Sequence, residues 1–223
     1  MKKVLHDFID LVFPNCCPGC DQPLVRGEEH LCTSCELDLP LYPANENIAH
    51  YFAGRLELAE ARAYFKFYHG GLAQNLLHHI KYKGDQELGE HLGKMFIHHL
   101  QKEAIYKNVD VIVPVPLHKS KLRARGYNQS EVLASGMADI LGVAVDSLSV
   151  IRTKRSETQT RKNRADRWQN VTGIFEVIND NLLGKHVLLV DDVITTGATT
   201  GELVRLLKRR GAQQVDVWAC AKA

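Results

Sequence analysis

Two adjacent carboxylates, Asp191 and Asp192, stand where an apolar run meets a hydroxyl-rich turn. The run is Val187-Leu188-Leu189-Val190 and the turn is Thr195-Thr196-Gly197-Ala198-Thr199. Ionised carboxylates are acceptor-only groups and suit hydroxyl donors. Threonine hydroxyls, together with the unpaired N–H groups and positive dipole end of a following helix, suit a phosphate. Gly197 lets backbone approach an anion with no Cβ in the way. Two acids beside such a nest fit the hydroxyls of a ribose that carries a phosphate. A plain helix cap needs one side-chain oxygen, so the pair of acids and the several threonines around one glycine exceed capping. A P-loop is excluded: Gly-Lys-Ser/Thr is absent from the helix start, and Gly184-Lys185 precedes the strand.

A second chemistry is metal binding. Cys17-x-x-Cys20 and Cys32-x-x-Cys35 are two knuckles of equal spacing, which suits a tetrahedral zinc site and stabilises a segment too small for its own core. Cys16 can replace Cys17, but the two-residue spacing favours Cys17. His30, next to the second knuckle, is expected to be exposed rather than a ligand. Cys220, in a late apolar run, reads as a buried small hydrophobe. Clustered cysteines with no secretion signal point to metal binding in a reducing compartment, so a cytoplasmic protein is expected.

Two basic segments complete the set. The first holds His118, Lys119, Lys121, Arg123 and Arg125; the second holds Arg152, Lys154, Arg155, Arg161, Lys162, Arg164 and Arg167. Charge runs are usually solvated faces. Here each follows a strand of one expected sheet, so both can reach the phosphate nest, and arginine grips phosphate oxygens bidentately. The same charges suit a single-stranded nucleic acid backbone, with Tyr127 and Trp168 as the nearby rings for stacking.

The elements that must position these groups follow from periodicity. Val4 to Phe13 reads as a short amphipathic helix, too short for a membrane span and without a cleavage site. Pro14, Pro18, Gly19, Pro23 and Gly27 break up the cysteine segment, and Pro40 and Pro43 mark a boundary, giving units 1–43 and 44–223. Strands are expected at Ile48 to Phe52, Ala61 to Tyr68, Val109 to Val113, Ile174 to Ile178, His186 to Val190 and Val215 to Cys220, with an apolar stretch at Ser149 to Arg152. Helices are expected at Leu72 to Ile80, Leu88 to Leu100, Asn128 to Leu141 and Thr199 to Arg210, the last closed by Gly211. Strands alternating with helices make an α/β fold with a parallel sheet and right-handed crossovers. The chain has 223 residues, 45% of them hydrophobic, and a formal net charge of +2, which suits one core plus a small appendage and singles out no partner.

The run from Val187 to Thr200 resembles the phosphoribosyl-pyrophosphate-binding motif of type I phosphoribosyltransferases, over roughly residues 60 to 223. With the four-cysteine segment ahead of it, the chain resembles the ComF family. Its other landmarks are Lys81-Tyr82-Lys83-Gly84-Asp85, Val113-Pro114-Val115-Pro116-Leu117, Arg123-Ala124-Arg125-Gly126-Tyr127-Asn128-Gln129, and Thr158-Gln159 through Arg167-x-x-Asn170. A basic residue stands where that family usually has Leu after the Thr/Gln pair. The resemblance implies a type I phosphoribosyltransferase-like parallel sheet flanked by helices, with a small N-terminal zinc ribbon.

It also implies roles. Asp191 and Asp192 hold the ribose hydroxyls, Thr195, Thr196, Gly197, Ala198 and Thr199 wrap the 5-phosphate, and Lys119, Arg123 and Arg125 take the place of the pyrophosphate loop. Arg164 belongs to a mobile loop that closes over the substrate. Magnesium accompanies phosphoribosyl pyrophosphate, zinc is structural, and the acceptor of the pentosyl group is unspecified. A C-terminal hood is missing from the sequence as read. The family's link to natural DNA uptake implies single-stranded DNA and a competence helicase as partners, with a non-catalytic DNA-binding role as the alternative to transferase activity.

Overall fold

The structure, a computed structural model, describes residues 14–53, 56, 58–100, 108–154 and 173–223. The Val4–Phe13 helix expected from sequence lies outside them, as do Arg164 and Trp168.

Strand β6 (His186–Ile194) shows why the apolar run had no alternation. Val187 and Leu189 enter one hydrophobic cluster, while Leu188 and Val190 enter another on the opposite face. Successive side chains of a strand point to opposite faces, so a strand covered on both sides must be apolar at every position. Its neighbours are β2 (Val111–Pro114) and β7 (Gln214–Lys222). With β1 (Ala61–Lys66) and β3 (Ala144–Val145) they form, among the described residues, a five-stranded sheet in the order β1-β7-β6-β2-β3. Every pairing in it is parallel.

One face of the sheet carries helices α2 (Leu72–His78), α3 (Gln86–Leu100) and α5 (Gln129–Leu141) over Leu188, Val190 and Trp218. The other carries α6 (Ala198–Arg209), a 3-10 turn at Ile48–Phe52 and a hairpin of β4 (Val150–Arg152) with β5 (Phe175–Val177). Helices α3 and α5 cross closely because Gly136 lacks a side chain; a Cβ there would lie 2.0 Å from the Glu90 carbonyl oxygen.

Several sequence expectations are corrected. Ile48 to Phe52 is a 3-10 turn, not a strand: the Asn47 side chain accepts from the Ala49 N–H and starts the turn, which buries Ile48 and Phe52. The first basic segment is a helix, α4 (Lys119–Arg125), started by the His118 ring accepting from the Ser120 N–H and ended by left-handed Gly126. It buries no residue, so it has no apolar periodicity by which to be read. The β4–β5 hairpin is antiparallel and separate from the main sheet, so the second basic segment does not follow a strand of that sheet. The helix ending at Ile80 instead passes into a π-helical turn, His79–Lys83, closed by left-handed Gly84.

The cysteine segment packs against the core. Leu31, Cys35 and Leu39 join the cluster that holds Leu76 and Phe65, and Asn75 Nδ2 donates to the Gly19 carbonyl at 3.0 Å. Among the described residues no helix is long and apolar enough to cross a membrane.

Candidate functional site

The acids lie at the carboxyl end of β6, still within the strand, where open parallel sheets receive ligands. Both are buried, at 8% exposure each, yet both line a cleft of about 310 Å³. Helix α5 brings two donors to them because Asn128 caps its start, accepting from the Ser130 N–H. Ser130 Oγ donates to Asp191 Oδ1 at 3.4 Å, and Gln129 Nε2 donates to Asp192 Oδ2 at 3.2 Å. Asp191 Oδ1 also accepts from the Asp192 N–H at 2.9 Å, and Asp192 Oδ1 from the Val193 N–H at 2.8 Å.

A further partner is Lys81, on the π turn, whose Nζ lies 2.5 Å from Asp192 Oδ2. This separates the two acids electrostatically. Burial pushes Asp191 well above the usual carboxylate range, and the adjacent Asp192 charge adds to it. Burial acts the same way on Asp192, but the Lys81 ammonium and the surrounding donors outweigh it, so Asp192 falls below that range. The two neighbouring acids are thus pushed in opposite directions, Asp191 up and Asp192 down.

Of the residues singled out in the sequence, Asp191, Asp192, Arg125 and Thr199 share this cleft, with Lys121 and Arg152 beside them. Lys119 and Arg123 are exposed on α4 and do not line it. Thr195, Thr196 and Gly197 line a neighbouring cleft of about 280 Å³ with His50, Tyr51 and Phe52. Gly197 adopts φ 73°, and a Cβ there would stand 2.6 Å from the Phe52 ring, so the loop needs glycine for both backbone and space. Ala198 is buried at the start of α6.

Lys81, Gln129 and Ser130 were not singled out as site residues from sequence. Gln129 and Ser130 could have been found as the first turn of a capped helix placed after β2. Lys81 stands in one of the family landmarks, but its contact with Asp192 depends on how distant segments pack. Tyr127, one of the rings considered for stacking, is half-buried, and its hydroxyl donates to the Ile80 carbonyl.

The four cysteines of the two knuckles meet. Their sulfurs all lie within 4.8 Å of one another, with Cys20 Sγ and Cys32 Sγ 3.7 Å apart. Tetrahedral zinc with Zn–S of about 2.3 Å sets neighbouring sulfurs about 3.8 Å apart. Cys17 is the member and Cys16 is not. Burial acts upward on the Cys17 thiol, but N–H donors from Cys32, Gly19 and Cys20 bring it to about 7. Burial and the neighbouring sulfurs push Cys35 strongly up. Four thiolates so close need a cation to be ionised together, and the donor set fits zinc. His30 is half-buried rather than exposed, its ring 4.7 Å from that of His91, and is not part of the cluster. Cys220 is buried, as expected.

Comparison with known proteins agrees with this geometry. The phosphoribosyl transferase domain pattern matches residues 127–222. A protein named DNA utilization protein YhgH, from Salmonella typhimurium, is 32% identical over 66% of this chain and 66% of its own length. The match thus spans just under two thirds of that relative. Competence protein F of Haemophilus influenzae is 36% identical over 51% of each chain. Competence protein ComFC of Bacillus subtilis is 26% identical over 87% of this chain and 78% of its own.

Proposed function

We propose, from the premise that this chain belongs to the ComF family of zinc-ribbon proteins with a phosphoribosyl transferase domain, that it binds phosphoribosyl pyrophosphate and transfers the phosphoribosyl group. The observation that carries this is the buried Asp191–Asp192 pair facing one cleft with Thr199, Lys121 and Arg125. Acids for the ribose hydroxyls, a helix start for the 5-phosphate and cations for the pyrophosphate are the three parts such a ligand needs.

In this reading the chemistry is displacement at C1 of the ribose. The bond from C1 to the pyrophosphate oxygen breaks, its electron pair leaves with pyrophosphate, and the acceptor's lone pair takes its place. Asp191 and Asp192 fix the sugar by its hydroxyls, so that C1 is presented in one orientation. Lys121 and Arg125 stabilise the charge that grows on the departing pyrophosphate. Lys119 and Arg123, off the cleft lining, add only a screened positive field, and the role implied for Arg164 falls on a residue outside the described ones. Magnesium suits a site of two carboxylates and ligand phosphates, where it supplies charge neutralisation. Cys17, Cys20, Cys32 and Cys35 would hold a structural zinc that ties together the N-terminal unit, 1–43, where it packs on the 44–223 domain.

The test is pyrophosphate release from phosphoribosyl pyrophosphate across a panel of acceptors. Turnover with one acceptor supports transfer; tight binding with no turnover throughout rejects catalysis and leaves the binding reading standing.

A second reading, contact with single-stranded DNA, rests on α4. Its cations Lys119, Lys121 and Arg123 are exposed on a helix that buries nothing, and relatives carry names that refer to DNA utilization and competence. Charge reversal at Lys119 and Arg123 should cut single-strand affinity and flatten its salt dependence. Unchanged affinity removes α4 as the contact.

A further inference from the structure

The π turn carrying Lys81 is tied at several points to the segment that follows α4. Tyr127 donates its hydroxyl to the Ile80 carbonyl. The Arg125 guanidinium lies 5.4 Å from the centre of the Tyr82 ring, and Arg125 also donates to Gln129. Gln129 and Lys81 then converge on the same oxygen, Asp192 Oδ2. The π turn and the 125–129 segment therefore form one wall of the cleft. Single π turns inside helical stretches recur at functional sites, because the widened turn re-aims a side chain.

Lys81 is not a sealed core ion pair. Its side chain is 22% exposed and lines the cleft together with Lys121 and Arg125. An ammonium has three donors on a flexible stem and can exchange one anion for another. If ribose hydroxyls are to use Asp192 Oδ2, they compete with this ammonium. The displaced charge then needs another anion nearby, and the ligand itself supplies one at the Arg125 end of the cleft.

Building on the phosphoribosyl pyrophosphate reading above, we propose that Lys81 is a ligand-exchanging residue: it pairs with Asp192 and passes to the pyrophosphate group when the sugar takes the acid. Tyr127 is a positioning residue that seats the turn from which Lys81 makes this exchange. Lys81 thus joins Lys121 and Arg125 as a pyrophosphate contact, although it comes from a different part of the chain.

The experiment is calorimetric titration of the full-length zinc-loaded protein with phosphoribosyl pyrophosphate, inorganic pyrophosphate and ribose 5-phosphate, each with magnesium. The variants are Lys81→Met, Lys81→Arg, Tyr127→Phe and the Lys81→Met/Tyr127→Phe pair. Lys81→Met should weaken phosphoribosyl pyrophosphate and pyrophosphate by about tenfold or more, the scale of one hydrogen bond to a charged group. Ribose 5-phosphate should bind Lys81→Met at least as well as it binds wild type, since Asp192 is freed. Lys81→Arg should restore most of the pyrophosphate affinity. Tyr127→Phe should weaken pyrophosphate on its own yet add little in the Lys81→Met background, because it acts through Lys81. Equal loss for all three ligands, or unchanged pyrophosphate affinity in Lys81→Met, overturns the assignment. Wild type that binds none of the ligands overturns the phosphoribosyl pyrophosphate reading itself, and this inference with it.

Discussion

Asp191 and Asp192 are neighbours in the chain, and the first accepts a hydrogen bond from the backbone N–H of the second at 2.9 Å. That contact packs two buried acids together at the end of a central strand, and Asp192 also meets the Lys81 ammonium. The folded protein pushes Asp191 up, first by burial and then by the Asp192 charge. A folded-state value raised above the unfolded one gives stability below the ordinary carboxylate range, and that contribution is lost as pH rises through the raised value. Asp192 runs the other way, favouring the fold above that range and losing its contribution as pH falls through its lowered value. Asp191→Asn should therefore melt higher than wild type at pH 7 to 8, by about 2–4 °C for a gain of ~1 kcal/mol in a chain of this size. The gain should shrink as pH falls, and the check is a set of melting curves across that range.

The α3–α5 crossing gives a prediction about the fold alone. Gly136→Ala puts a methyl group against the Glu90 backbone, where no flexible side chain can give way. Overpacking of this kind costs about 1–3 kcal/mol, read as a lower denaturation midpoint with an unchanged slope.

The cysteine cluster predicts one zinc ion bound per chain in metal analysis. Cys20→Ser and Cys35→Ser should lose it, because their sulfurs belong to the cluster. Cys16→Ser should retain it, because Cys16 lies outside the set.

The basic residues near α4 divide by their relation to the cleft. Arg125→Ala should weaken phosphoribosyl pyrophosphate by about tenfold or more, as expected for a charged hydrogen bond. Arg123→Ala, exposed and off the cleft lining, should stay within about threefold, as screened surface charges do. Titration of the two variants at matched ionic strength makes the comparison.

These residues also show what could be read before folding. Val187 to Val190 announced a strand covered on both faces because a doubly buried strand has no polar side to display. Asn128 announced α5 because a capping side chain sits next to the helix it starts. Helix α4 was invisible because it has no buried residue and so carries no apolar period. Ile48 to Phe52 misled because a short apolar run suits a strand and a tight turn equally. The acids and the Thr195–Thr199 turn could be read as one group because they are nearly consecutive in the chain. Their division between two clefts, and the Lys81 contact to Asp192, arise from tertiary packing and had no local signature.

The most direct measurement is calorimetric titration of phosphoribosyl pyrophosphate with magnesium into wild type and into the Asp191→Ala/Asp192→Ala variant, with folding of both verified by circular dichroism. Loss of two hydrogen-bonding acids should cost ~3 kcal/mol or more, so affinity should fall by at least about a hundredfold. A folded double variant that binds as tightly as wild type contradicts the account.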